Sequence, residues 1–168
     1  LGSAYYAEHP IFNPKKTVVN INIDALDSPG KMKDLTITGY GHSEMDDYAK
    51  EAALKQKRYI IPDPEAEKGY FFRSDHYNFA KIGVPALYAS GAYEGFNKSI
   101  EEIKEHNDYY RIHTYHQPSD EYNPETTELS GVQLDLQLFF NVGLKLSNED
   151  YFPKWYNGSE FKAAREQL

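Results

Sequence analysis

The chain contains no cysteine. That excludes a disulfide framework and any thiolate metal site, so a metal here must be held by His, Asp or Glu. Basic residues are also scarce. Lys and Arg number 18 against 26 Asp and Glu, for a net charge of −8. With no basic stripe, nucleic-acid binding is disfavoured. No apolar run reaches the roughly 18 residues of a membrane-spanning helix. No Gly-x-Ser-x-Gly elbow is present, which argues against a serine hydrolase. A signal-peptide pattern, internal repeats and low-complexity stretches are all missing. So is a starting Met. The opening Leu1-Gly2-Ser3-Ala4-Tyr5-Tyr6 reads as the interior of a helix, so the chain is expected to be a fragment or a processed product.

Aromatic residues, by contrast, are abundant at 15%, with 15 Tyr. Tyrosine joins apolar area to a polar tip, which suits a half-wet binding surface or the cover of a sheet edge. A length of 168 residues fits one domain that buries roughly 70% of its unfolded surface. The acidic balance suits cations or free amino groups as ligands.

Hydrophobic patterning predicts alternating strands and helices. A helix ends at Glu8, stopped by His9-Pro10. Thr17 to Ile23 is the clearest strand, β-branched and partly alternating. Asp34 to Gly41 and Arg58 to Ile61 form two more. Val84 to Ala89 is a continuous apolar run that suits a central strand buried on both faces. Between them lie a helix from Ser43 to about Gln56 and a short one capped by Ser74 that runs to Ile82. Residues 93–113 form a polar excursion with a helix over Ile100 to Lys104. Thr126 to Leu146 is the longest helix, broadly apolar and packed on a sheet. An aromatic tail around Tyr151-Phe152-Pro153-Lys154-Trp155 folds back on the body, and a last short helix starts near Ser159.

Three stretches carry candidate chemistry. Asp24 follows Ile21-Asn22-Ile23 at a strand's carboxyl end, where open α/β sheets bind ligands. The same Asp could simply start the turn Asp27-Ser28-Pro29-Gly30. Ser74-Asp75-His76 opens a helix, and adjacent Asp75 and His76 face different directions. The third is Thr114-Tyr115-His116-Gln117-Pro118-Ser119-Asp120-Glu121-Tyr122. Pro118 stiffens this loop and pushes Gln117 toward extended backbone. His116 is the candidate metal ligand there, since neutral imidazole suits zinc and a nearby carboxylate can fix its tautomer. His106 and His113 are expected to lie in solvent.

These stretches occur in one order: Asn20-Ile21-Asn22-Ile23-Asp24, Ser74-Asp75-His76-x-x-Phe79, Gly83-Val84-Pro85-Ala86, then Tyr115 to Tyr122. In that order they resemble the zinc aminopeptidases of the aminopeptidase Y and aminopeptidase S family, in the clan that also holds glutamate carboxypeptidase. The resemblance runs from Leu1 to the Trp155 region. It implies an α/β fold: a mixed, mostly parallel sheet with helices on both faces. The whole chain, 1–168, would be the carboxyl-terminal portion of one catalytic domain, incomplete at its amino-terminal side.

The resemblance also implies two zinc ions held by five ligands. Asp24 matches the late aspartate ligand and His116 the last histidine ligand, on different zincs. Tyr115 matches an oxyanion-stabilising tyrosine. Ser74, Asp75 and His76 match a segment behind the ligands and along the substrate pocket. The implied substrate is a peptide, cleaved from its amino terminus. Side-chain preference would come from residues such as Tyr70, Phe71 and Phe72 and from the 93–113 excursion. In that family the remaining ligands and the general-base glutamate lie upstream of the position that Leu1 matches. The chain by itself is therefore expected to be inactive. Secretion or periplasmic export is common in that family. A glutaminyl cyclase-like zinc acyltransferase and a metal-free, receptor-like homologue are the alternative readings.

Overall fold

A computed structural model describes residues 1–168. Its centre is a four-stranded sheet in the order β1-β4-β2-β3. The strands are β1 (Asn20–Asn22), β2 (Asp34–Ile37), β3 (Tyr59–Pro62) and β4 (Ala86–Ser90). β1 runs parallel to β4 and β2 parallel to β3, while β2 and β4 are antiparallel. The sheet is thus mixed and mainly parallel, as the resemblance implied. The apolar run of β4 does sit inside the sheet. Its ladder opens at Ala86 because Pro85 has no N–H to give, but the Pro85 carbonyl still accepts from Asn20 N at 2.8 Å.

Alternation along β4 sorts the two faces. Leu87 and Ala89 join Leu35 and Ile37 in the main core. Over them pack α2 (Met45–Lys55), through Met45, Ala49, Ala52 and Ala53, and α6 (Ser130–Ser147), through Leu138, Phe139, Val142 and Leu146. Tyr88 points the other way, where α4 (His76–Lys81) lies with α1 (Gly2–Glu8) behind it. Small residues on α2 allow that helix to sit close to the sheet. On α6, Gly131 serves a close approach of a different kind. A Cβ there would overlap Ser28 Oγ and the Gly30 carbonyl, so the loop after β1 is clamped against the helix.

Several boundaries differ from the sequence expectation. β2 stops at Ile37, and Gly39 and Gly41 turn the chain with positive φ. α5 (Ile100–His113) is far longer than the predicted 100–104. Ser99 and Glu102 form a reciprocal capping box at its start, but Ile103 is its one buried residue, so hydrophobic periodicity hardly reports it. α6 begins at Ser130 rather than Thr126, since residues 124–126 form a turn. Ser74 does not cap α4. Asp75 holds that position, and Ser74 is the extended residue between α3 (Tyr70–Arg73) and α4. Its hydroxyl donates to the Tyr70 carbonyl at 3.1 Å.

The tail folds back as expected. Trp155 and Phe161 pack with Ala80, and Trp155 Nε1 donates to the Gly83 carbonyl at 2.9 Å. The last helix, α7 (Lys162–Glu166), presses its backbone against Gly83, whose φ is positive. No helix is long and apolar enough to cross a membrane.

Candidate functional site

Both parallel strands β1 and β4 end at the same edge of the sheet. Asn22 lies opposite Tyr88 in the register. Asn22 and Asp24 share a parity along the strand direction, so Asp24 follows on the Tyr88 face. Asn22 Nδ2 lies 3.5 Å from Asp24 Oδ2. Asp24 itself is exposed.

Tyr88 lies at the same edge, beside the His76 ring and on the wall of a hollow it shares with Asp24. Burial pushes its phenol up to about 12, and the Asp24 carboxylate pushes it further in that direction. The Ser74 side chain pulls the opposite way, and the Tyr115 phenol adds a small further rise. At neutral pH Tyr88 is therefore a neutral phenol. Sequence patterning alone does not single it out. The available signal is its even register with Asn22, two residues into an otherwise apolar strand.

His76 lies beneath this group. It is 1% exposed, with its ring 4.7 Å from Phe71 and 5.1 Å from Tyr88. Neither ring nitrogen has a hydrogen-bond partner. Burial drives its pKa down to about 4, against a smaller upward pull from Asp24 and Asp75. The imidazole is neutral at neutral pH and packs as an aromatic. Asp75 belongs elsewhere. Its carboxylate accepts from the Ser3 hydroxyl, which in turn accepts from Asn78 Nδ2 at 2.8 Å. Asp75 thus ties α1 to α4. The Ser74-Asp75-His76 string is split, with Ser74 and His76 at Tyr88 and Asp75 at the α1 contact.

Tyr115 and His116 sit just beyond α5. The N–H groups of Thr114 and Tyr115 both close on the Tyr110 carbonyl, and Gln117 N closes on the Thr114 carbonyl at 2.8 Å. That tight turn places His116 at φ 60°, in the left-handed region. Pro118 occupies the second position of the next turn, where Asp120 N reaches the Gln117 carbonyl at 3.0 Å. Ser119 Oγ to the His113 carbonyl and Tyr110 OH to Asp120 pin the loop to the helix end. The His116 ring is exposed and stacks on Tyr115, with centroids 3.8 Å apart. Stacking, rather than a neighbouring carboxylate, sets its orientation.

His113 lies in solvent as expected. His106 is partly buried, and its Nε2 meets Asp27 Oδ2 at 2.9 Å. That contact fastens α5 to the loop after Asp24. Tyr70, Phe71 and Phe72 also differ from expectation. Phe71 fills an aromatic cluster with His42, His76, Tyr77 and Phe161, and none of the three lines either main surface hollow.

A catalytic zinc takes three protein ligands plus water. Asp24 and His116 are suitable donor types, but no three His, Asp or Glu side chains come together anywhere in the chain. The residues present therefore do not form a zinc site by themselves.

A buried polar knot supports this edge of the sheet. The Asp34 carboxylate, fully buried, accepts from the N–H groups of Ala92, Tyr93 and Glu94 at 3.0, 3.0 and 2.7 Å. Arg58, also buried, donates from Nε and Nη2 to the Asp34 carbonyl. Its Nη1 lies 2.6 Å from Asp135 on α6. The chain leaving β4 is thus fixed on one side by β2 and on the other by α6.

Two hollows are notable. One, of about 310 Å³, is polar, lined by Lys31, Lys98, Glu128 and Ser130 among others, and none of the candidate residues borders it. The other, of about 120 Å³, lies between the ends of β1 and β4 and the first turns of α6, with Asp24 and Tyr88 on its wall.

Residues 1–136 match the sequence model of peptidase family M28. No curated protein and no solved structure matches the chain.

Proposed function

The chain belongs to peptidase family M28, and on that premise we propose that it forms part of a zinc aminopeptidase that removes amino-terminal residues from peptides. The observation that carries this reading is that β1 and β4, parallel and in register, end at one edge of the sheet, with Asp24 and Tyr88 on the wall of the hollow there. Ligands bind at such an edge in open α/β sheets. Asp24 and His116 supply two metal donors. Three donors do not meet among these residues, so the zinc reading needs donors in addition to these two. Zinc, when bound, would polarise a carbonyl and activate water.

The other roles belong to this chain's own side chains. Tyr115, stacked on His116, offers a phenol toward the reacting carbonyl oxygen. Tyr88 stays neutral at this edge of the sheet. His76 fills the space behind Tyr88 without adding charge. Pro118 and the bonds from Ser119 and Tyr110 hold the His116 loop in its turn.

The test uses the natural protein that carries this chain. It should hydrolyse a leucyl chromogenic amide, and a chelator should abolish the activity. His116→Ala should lower the rate by more than roughly 100-fold, since even partners behind metal ligands are worth 10–100-fold. A protein that stays inert with zinc added would overturn the peptidase reading and favour a metal-free binding homologue.

A further inference from the structure

We infer that the Asn157-Gly158 turn modifies itself: the Gly158 backbone nitrogen attacks the Asn157 side chain and converts it, through a cyclic imide, to aspartate and isoaspartate. Asn157 is the chain's one asparagine followed by glycine, the residue with no Cβ to hinder that approach. The turn belongs to the folded-back tail, which meets the body at Gly83, ahead of β4. Asp24 lies past the other end of the paired strands.

Both residues of the turn are exposed. Ser159 N closes it on the Tyr156 carbonyl at 3.1 Å, with Gly158 at φ 94° in the left-handed region. The Gly158 N–H itself has no backbone acceptor, so solvent base can reach its proton. No atom lies within 4 Å of where a Gly158 Cβ would stand, which leaves that side of the turn open. At the side-chain end, Lys162 Nζ donates to Asn157 Oδ1 at 2.8 Å. An ammonium only donates, so this contact turns the oxygen toward Lys162 and leaves the NH2 group free to depart. The same contact draws electron density from Cγ and steadies the negative charge that develops on the oxygen. Asn107 shows the contrast. It lies inside α5, its Nδ2 donates to the Ala92 carbonyl at 3.0 Å, and the next peptide N–H belongs to the helix ladder.

The chemistry balances without oxidant or reductant. Hydroxide removes the Gly158 amide proton. The nitrogen bonds to Asn157 Cγ, the Cγ–Nδ2 bond breaks, and ammonia leaves with a proton from water. Water then opens the imide. Addition at Cγ restores the original backbone and gives aspartate. Addition at the Asn157 main-chain carbonyl breaks its bond to Gly158 N and gives isoaspartate, with Cβ and Cγ now in the backbone. The net change is amide plus water to acid plus ammonia.

The product alters the tail's grip on the body. The turn leads into Phe161, which packs on Trp155, and Ser159 Oγ lies 3.4 Å from His42 Nδ1. Isoaspartate lengthens the backbone by a carbon just ahead of those contacts and adds a negative charge. Phe161 and α7, whose backbone abuts Gly83, are thereby loosened.

The experiment ages the natural protein that carries this chain in neutral and mildly alkaline buffer and maps its peptides by mass spectrometry. The Asn157 peptide should convert to aspartate and isoaspartate forms, several-fold faster in the alkaline sample, while the Asn107 peptide stays an amide. Gly158→Ala should nearly abolish the conversion. Lys162→Met should slow it several-fold, and it serves as the test where Gly158→Ala, strained at positive φ, does not fold. Trypsin should cut aged protein after Arg165 faster than fresh protein. An Asn157 that stays intact in the folded protein while the same peptide converts after digestion would overturn the inference. An unchanged rate in Lys162→Met, or equal trypsin rates for aged and fresh protein, would also overturn it.

Discussion

Replacing Asp34 with Ala should be among the most damaging single changes in the chain. The carboxylate is fully buried and accepts three backbone N–H groups, from Ala92, Tyr93 and Glu94, plus the Thr36 hydroxyl at 3.2 Å. Each bond to a charged acceptor is worth about 1.5–3 kcal/mol, and a buried donor left without a partner costs about 1–3 kcal/mol. The terms do not add in full, because residues 92–94 are only half-buried and water can reach part of the gap. A net loss of about 3–5 kcal/mol follows, a large share of a typical domain's 5–15 kcal/mol. Asp34→Asn keeps one acceptor oxygen but turns an NH2 toward the same donors, so its loss should be intermediate. Urea unfolding followed by circular dichroism would read this as a midpoint drop of roughly 2 M for Asp34→Ala, with little change in slope. A loss below about 1 kcal/mol for Asp34→Ala would refute the view that this carboxylate anchors the chain leaving β4.

Three further outcomes follow from the same geometry. His76→Phe should leave stability at pH 7 unchanged or raised by up to about 1 kcal/mol, because the nitrogens it removes have no partners. The folded pKa of His76 lies near 4, below its ordinary 6.5, so wild-type stability should fall as pH drops from 6.5 toward 4. His76→Phe should flatten that decline in a pH series of melts, and an unchanged slope would contradict the burial argument. Asp46 shifts the opposite way, to about 6 from 3.8, mainly through burial. Its contribution is present at low pH and is lost as pH rises through 6, so Asp46→Asn should gain stability relative to wild type above pH 6 and show no gain near pH 4. Gly131→Ala should cost about 1–3 kcal/mol by forcing the Ser28–Gly30 loop off α6, and a neutral result in thermal unfolding would show that the loop yields freely.

Much of the architecture was legible because periodicity tracks burial. The run from Val84 to Ala89 marked an interior strand, and β4 is interior because both of its faces are covered. The small residues of α2 marked a helix close to the sheet. Where burial is thin, the pattern failed. α5 buries Ile103 alone, so its length was carried by a capping box and ion pairs such as Lys104–Asp108, which hydrophobic spacing does not register. The polar knot was missed for a related reason. Asp34 opens β2 and Arg58 immediately precedes β3, where charged residues usually mark solvent, yet here both are buried and bond backbone groups.

The candidate site was legible in part. The order of motifs named Asp24, Tyr115 and His116 as candidates, and Asp24 does follow the carboxyl end of β1. It did not reveal Tyr88, whose place comes from strand pairing, although adjacency on a helix did imply that Asp75 and His76 face apart, as they do. Residue spacing along the chain says which groups are neighbours on a helix. Only the register of β1 on β4 says which groups from separate segments meet.

The most direct test of the central claim is the zinc content of the natural protein that carries this chain, measured after dialysis for wild type, Asp24→Ala, His116→Ala and His106→Ala. Asp24→Ala and His116→Ala should each lose zinc and activity together. His106→Ala, which removes only a contact to Asp27, should keep both. Full zinc retention in Asp24→Ala and His116→Ala would contradict the assignment of these two residues as metal donors.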